Sequence, residues 1–427
     1  MDQTVYSAYV QILREELLPA MGCTEPISLA YCAALARKTL DETPCRVQIS
    51  VSGNILKNVK SVVVPHTGGL RGVEAAAAAG IVAGDADLKL EVLSKVTEAQ
   101  FSKMRDFLKE AEITVEQSDS GCVFDIGVCL TGDRHTASVR ITGHHTNVVL
   151  IERDGGILFS QKEREEKSEG GANRNLLNVS DIIAFADAVD LKDVEEVIKR
   201  QIEYNTAIAE EGLQKDYGAR VGKVLLSAYG KDVHNLARAT AAAGSDARMN
   251  GCGLPVVIVS GSGNQGMTAS LPVIVYAKHL GSSKELLYRA LVLSNLITVH
   301  LKSGIGRLSA YCGAVSAGCG AGAGVCYLHG GKFDEIAHTV VNALAIDSGM
   351  ICDGAKSSCA AKIASAVDAG LLGFEMYRNG SQFYGGDGIL EKGVENTIHN
   401  VGDLARIGMR ETDEEIIRLM LKNANQK

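Results

Sequence analysis

The sequence predicts an α+β protein: a mainly helical C-terminal domain, and an N-terminal region containing a small antiparallel sheet. Two observations carry this. Between residues 89 and 165, short segments alternate apolar and polar side chains between turn residues, the period-two pattern of half-buried strands. From about residue 180 almost to the end the pattern is helical, interrupted by Gly-rich breaks near 249–266, 303–324 and 347–358. The 427 residues suffice for two or three domains. We expect an N-terminal helical and strand region at 1–85, a small α/β sheet region at 86–165 and a helical domain at 176–427. The charged, then Gly- and Asn-rich run QKEREEKSEGGANRN (161–175) reads as the linker.

Residues 1–40 read as two helices, the second starting near Pro26, whose fixed φ suits a first helical turn. Residues 46–65 alternate and are rich in Val, which predicts strands. The small-residue run GGLRGVEAAAAAGIVAG (68–84) predicts a tightly packed helix. LKLEVLSKV, ITVEQSD, VFDIGVCLTG, TASVRITG and TNVVLIERDGGILFS predict strands, with a helix at 98–111 packed on their sheet. The last helix, TDEEIIRLMLKN, has Thr412 as its expected N-cap and acidic residues in its first turn.

Hydrophobic residues at 46% and charged residues at 22% describe an ordinary globular chain. A net charge of -8 without any Lys/Arg block argues against a nucleic-acid partner. Aromatics at 5% and the absence of Trp argue against base-stacking platforms. No apolar run is long enough for a membrane span, and the N-terminus lacks a basic-then-apolar leader, so the expected location is the cytoplasm.

In that compartment a disulfide framework is not expected of eleven cysteines. Cys32, Cys45, Cys122 and Cys129 read as small core residues. Cys23, Cys252, Cys312, Cys319, Cys326, Cys352 and Cys359 stand in less usual company, among glycines or at helix starts. Cys23, in Gly-Cys-Thr-Glu-Pro, precedes a predicted helix, where free N–H groups and the helix dipole favour a thiolate. It is a candidate base, nucleophile or metal ligand, or else a buried cysteine beside a helix end. Ser260, Gly261, Ser262, Gly263 and Asn264 follow the strand-like LPVVIVS and can offer backbone N–H groups to an anion, or form a plain turn.

Cys312, Cys319 and Cys326 are spaced by seven, as are Cys352 and Cys359. On one straight helix seven residues rise about 10.5 Å, too far for a shared cluster. Between Cys352 and Cys359, however, DGAKSS reads as a loop closing into a helix start, so those two thiols can converge. In CGAVSAGCGAGAGVC, tight helix packing is the plainer reading for Cys319 and Cys326. None of these spacings matches a zinc CxxC pair or a ferredoxin run.

Four separated motifs, MGCTEP, NGCGLPVVIVSGSGNQG, CGAVSAGCGAG and GMICDGAKSSC, resemble the L-cysteine desulfidase family and its bacterial relatives. That family is similar in its C-terminal half to the α part of iron–sulfur L-serine dehydratases. The resemblance implies a [4Fe–4S] lyase that converts L-cysteine to pyruvate, ammonia and sulfide without pyridoxal phosphate. It implies Cys312, Cys352 and Cys359 as cluster ligands, and Cys23 near the open iron as ligand or base, with Glu25 as a further catalytic residue. The dehydratases end in a cysteine that reaches back to the cluster; this chain ends in KNANQK. Ser260–Asn264 would hold the substrate carboxylate, with His144, His145 and Asn147 as further orienting residues. L-Serine or a related hydroxy or thiol amino acid is the alternative substrate. A non-enzymatic iron–sulfur or redox-sensing protein is the alternative of another class. A pyridoxal-phosphate lyase would need Lys302 or Lys356 as its Schiff base. The expected partner is the small amino acid, and a homodimer is the expected assembly.

Overall fold

A computed structural model describes residues 1–161, 171–306 and 308–422. The strands are β1 (Pro19–Met21), β2 (Arg46–Val51), β3 (Glu112–Gln117), β4 (Asp125–Thr131), β5 (Thr136–Thr142), β6 (Val148–Arg153), β7 (Gly156–Ser160) and β8 (Pro255–Val257). The helices of the first half are α1 (Gln3–Glu16), α2 (Thr24–Leu40), α3 (Gly53–Val59), α4 (Val73–Ala83) and α5 (Ala99–Glu110). Beyond the expected linker, of which residues 162–170 lie outside the described residues, come α6 (Val179–Ala188), α7 (Glu195–Gln214), α8 (Val221–Tyr229), α9 (Val233–Met249) and α10 (Gly263–Leu280). They are followed by α11 (Lys284–Ile305), α12 (Gly313–Leu328), α13 (Phe333–Asp347), α14 (Cys359–Arg378), α15 (Val394–Asp403) and α16 (Arg410–Lys422). The α+β class is as expected.

Among the described residues the larger sheet runs β3-β2-β4-β5-β6-β7. It is antiparallel except at β2–β3, which are parallel. One face buries Val47, Ile49, Ile126, Val128, Val139 and Ile141 with α2 and α4 in a first hydrophobic core. The alternation of these strands is what the sequence displayed.

Four expectations need correction. Residues 46–65 are not strands throughout: after β2, the Ser52 hydroxyl accepts from the Ile55 amide and starts α3. That cap outweighs the β propensity of the Val-rich stretch. LKLEVLSKV forms a 3₁₀ segment (Ala86–Glu91) and turns, begun by the Asp85 carboxylate accepting from the Asp87 amide. The sheet's cover is α2, while α5 packs on α4. At the C-terminus α16 starts at Arg410, so Thr412 lies inside it rather than capping it.

The second core gathers α1 with α6, α7 and α9–α15, and its middle is α12, buried along nearly its whole length. Here α12 and α14 cross with backbones touching. A Cβ on Gly370 would sit 2.1 Å from the Gly318 carbonyl oxygen, and one on Gly322 would sit 2.4 Å from that of Gly370. Backbone cannot yield as a side-chain tip does, so Gly370→Leu must separate the two helices. We expect it to lower unfolding stability by more than about 3 kcal/mol in urea titrations; a loss under 1 kcal/mol would refute this account of the crossing.

Asp246, within α9, is buried, and its Oδ2 accepts from the Gly222 amide at 3.0 Å. Burial pushes its carboxyl up to about 6. A raised folded-state pKa gives stability that is present in full below the unfolded value and lost as pH rises through 6. The loss is up to about 3 kcal/mol at 1.36 kcal/mol per unit. Asp246→Asn should therefore gain more melting temperature relative to the parent at pH 8 than at pH 5. An equal difference at both pH values would count against it.

Candidate functional site

Four helices start around one cavity of about 120 Å³: α2 behind Cys23, α10 behind Ser262, α12 behind Cys312, and α14 at Cys359. At none of these starts does the N-cap side chain make a capping hydrogen bond. The free N–H groups and the positive ends of four helix dipoles thus favour negative charge in the middle. One water needs only about 10–15 Å³, so the cavity can hold a small molecule.

The segments reach this place by short pairings. β1 runs antiparallel to β8, with Ala20 opposite Val256. Gly22 then turns the chain with φ +60°, a left-handed conformation, and packs so closely on Pro65 that a Cβ would lie 2.6 Å from its ring. Cys23 follows, 2% exposed. Its thiol donates to Glu25 Oε2 at 3.2 Å. The same carboxylate accepts from the Thr24 hydroxyl (3.1 Å) and from Asn58 Nδ2 (3.3 Å). Thr24 Oγ1 also reaches the Gly261 carbonyl at 2.9 Å, which ties the start of α2 to the loop before α10. Burial holds the Cys23 thiol well above its usual range, the negative charge of Glu25 adds to this, and Arg248 opposes it. The helix start does not make Cys23 a resting thiolate: burial outweighs the dipole.

A lone bridge between Tyr311 and Ile351 brings the next two cysteines together. The Cys312 amide donates to Met350 (3.0 Å) and the Cys352 amide to Ala310 (2.6 Å). The two thiols are hydrogen-bonded to each other. The hydrogen bond from Cys312 holds Cys352 low against its burial, helped by Lys57, the Gly354 amide and Lys362; the same hydrogen bond holds Cys312 high. Gly354, at φ +92°, lets the following loop lie on α3, where a Cβ would meet the Lys57 carbonyl at 2.2 Å. That loop closes into α14 at Cys359, as the sequence suggested. Burial pushes the Cys359 thiol up, and it borders the same cavity. Lys57, whose side chain is 1% exposed, is held by Asp413 of α16 at 2.5 Å.

Ser260, Gly261, Ser262 and Asn264 line the cavity, and Gly263 opens α10. His145 lines it too, edge-on to Phe124 at 4.9 Å between ring centres, while its carbonyl accepts from the Ser28 hydroxyl. His144 and Asn147 are not among the lining residues. Asn147 holds its own turn, donating to the Thr142 carbonyl and accepting from Gln161. Lys302 borders the cavity and Lys356 does not; Lys356 pairs with Asp353.

Sequence reasoning missed Arg248, Lys57 and Tyr311, which also line the cavity, as does Gln265 next to the Ser260–Asn264 run. For Arg248 there was a signal. It is a lone cation in the small-residue stretch ATAAAGSDARM, a helix run buried throughout from Ala241 to Met249. Such a cation has a reason to be there. Of the other cysteines, Cys32, Cys252, Cys319 and Cys326 are buried. Cys122 and Cys129 are half-buried, and Cys45, read as a core residue, is exposed. It precedes β2 at the sheet's end rather than lying within the strand. Among the described residues no helix is long and apolar enough to cross a membrane.

Residues 87–418 match the family model of the serine dehydratase alpha chain, so the match begins well before the helical half. A UPF0597 protein of Desulfitobacterium hafniense is 58% identical over 420 residues, 98% of either chain. One of Lachnoclostridium phytofermentans is 49% identical over 98% of this chain and 100% of its own. One of Treponema denticola is 45% identical over 99% of this chain and 100% of its own.

Proposed function

Since the chain belongs to the serine dehydratase alpha-chain family, whose name is that of a dehydratase-type lyase, we propose that it removes the β-substituent of a small L-amino acid with the help of a [4Fe–4S] cluster. L-Cysteine, yielding pyruvate, ammonia and sulfide, is the substrate we infer first. The observation that carries this reading is the pair Cys312–Cys352, clipped together beside Cys359, in the cavity that also holds Cys23 and Glu25.

The donor set suits such a cluster. Thiolates are its usual ligands, and here one of three thiols is held toward the thiolate form with Lys57 and Lys362 nearby to offset negative charge. Among the described residues no three His, Cys, Asp or Glu side chains close round a single ion. A cluster of four irons is wider than one ion and takes thiols arranged around it. Cys312, Cys352 and Cys359 would hold it, and when bound it would supply an open iron as Lewis acid for the leaving sulfur or oxygen.

The remaining work falls to the chain. Cys23 and Glu25 form one proton-handling unit. The thiol gives its proton to the Glu25 carboxylate, and the resulting sulfur anion takes the proton from the substrate's Cα. The Cα–H electron pair forms the Cα=Cβ bond as the Cβ–S bond breaks, and its electrons leave with sulfur. The aminoacrylate so formed hydrolyses to pyruvate and ammonia. Thr24 and Asn58 keep the Glu25 carboxylate aimed at Cys23.

L-Serine is the second reading, supported by the family's name. One experiment decides both. Anaerobically reconstituted protein, without pyridoxal phosphate, is given L-cysteine and L-serine while sulfide and pyruvate are measured. Sulfide with pyruvate from L-cysteine supports the first reading; pyruvate from L-serine alone supports the second. Protein that binds about four irons yet leaves both untouched defeats the proposal.

A further inference from the structure

Arg248 is 1% exposed, and its Nε and Nη2 have no hydrogen-bond partner. Among the described residues no carboxylate lies within ion-pair distance of it. An unpaired guanidinium in a protein interior costs several kcal/mol if nothing answers it. Its surroundings make the cost greater. A Cβ on Gly263, the first residue of α10, would lie 2.5 Å from Arg248 Nε and 2.9 Å from Cζ. The guanidinium is thus pressed against the positive end of an 18-residue helix whose N-cap, Ser262, makes no side-chain cap. Two positive features abut with nothing negative between them, and both border the cavity.

We infer that Arg248 and the start of α10 form the receptor for the α-carboxylate of the substrate, so that only ligands with a free carboxylate bind. This deepens the reading above and rests on it for the identity of the substrate as an amino acid. A planar carboxylate can take parallel hydrogen bonds from the guanidinium and further ones from the free amides at Gly263 and Asn264. The side-chain oxygens of Asn264 and Gln265, buried without partners, border the same space and can accept from the substrate's ammonium group. The receptor lies apart from the Cys312–Cys352 pair in sequence and in chemistry: it offers donors to the anionic end of the molecule, while the thiols face its leaving group.

The test is equilibrium binding by calorimetry to the full chain, using L-alanine, which lacks a leaving group, and L-alaninamide, which lacks the carboxylate. The parent should bind L-alanine saturably and L-alaninamide at least tenfold more weakly. Arg248→Met should lose L-alanine binding at least tenfold and keep its weak amide binding. Arg248→Lys, which keeps the charge but not the fork, should fall between. Without ligand, Arg248→Met should melt at the same temperature as the parent or higher, because it removes an unanswered buried charge; a structural arginine would do the reverse. The inference is overturned if the parent does not bind L-alanine, if it binds the amide equally well, or if Arg248→Met binds L-alanine like the parent. A protein that passes these tests but turns over neither L-cysteine nor L-serine would defeat the proposed reaction and leave the receptor standing.

Discussion

Cys352→Ala should remove both the iron and the activity. The thiol it deletes is the one that its neighbours hold toward the anion: Cys312 donates to it, and Lys57 and Lys362 bring positive charge. A ligand site needs that anion, because the thiolate and not the thiol binds metal. Without it, two thiols remain for a cluster that the proposed set holds with three. Loss of Lewis-acid help to a poor leaving group costs several kcal/mol of transition-state stabilisation. At 1.36 kcal/mol per decade, that is a fall in kcat of at least about 10³-fold. Iron and sulfide analysis of anaerobically reconstituted protein should show the matching loss. Cys319→Ala is the control. Cys319 lies seven residues along α12 from Cys312, buried in the apolar core. It should keep a full cluster and full turnover and lose only about 1 kcal/mol of stability. A full cluster on the Cys352→Ala protein would show that the ligand set is wrong.

The contrast between Cys352 and Cys319 also shows how far the sequence could be read. Both sit among glycines and both belong to pairs spaced by seven. What separated them was local: DGAKSS cannot continue a helix and closes into the start of α14, while VSAGCGAGAGV continues one. The sheet's alternation was local in the same way. The misread stretches were decided by single caps, Ser52 for α3 and Asp85 for the 3₁₀ segment, each a short polar group overriding a strand-like pattern. Nothing local could reveal what lies far off in sequence. Lys57 meets Asp413 across 356 positions, and the Cys312–Cys352 clip depends on one bridge between segments that carry no strand signal. Arg248 lay between these cases. Its isolation among alanines was visible, but its closeness to the start of α10 was not.

Glu25→Gln should leave the cavity intact and still slow the reaction severely. The amide is nearly the shape of the carboxylate, and its oxygen can still accept from Thr24 or Asn58. It cannot take the proton of Cys23. Because burial keeps that thiol protonated, a Cys23 that cannot hand its proton on cannot become a base. General-base catalysis is worth roughly 10²–10⁴-fold, and kcat should fall within that range. Iron content and L-alanine binding should not change, since neither the three cluster thiols nor Arg248 is touched. A second measurement separates proton transfer from the loss of the leaving group. In heavy water the parent should exchange the Cα proton of L-alanine slowly for deuterium, and both Glu25→Gln and Cys23→Ala should stop this, as followed by proton NMR. If Cys23→Ala stops the exchange and Glu25→Gln does not, Cys23 is the base without help from Glu25, and the paired mechanism is wrong. If Glu25→Gln stops it and Cys23→Ala does not, the carboxylate takes the proton directly, and the thiol only holds it in place.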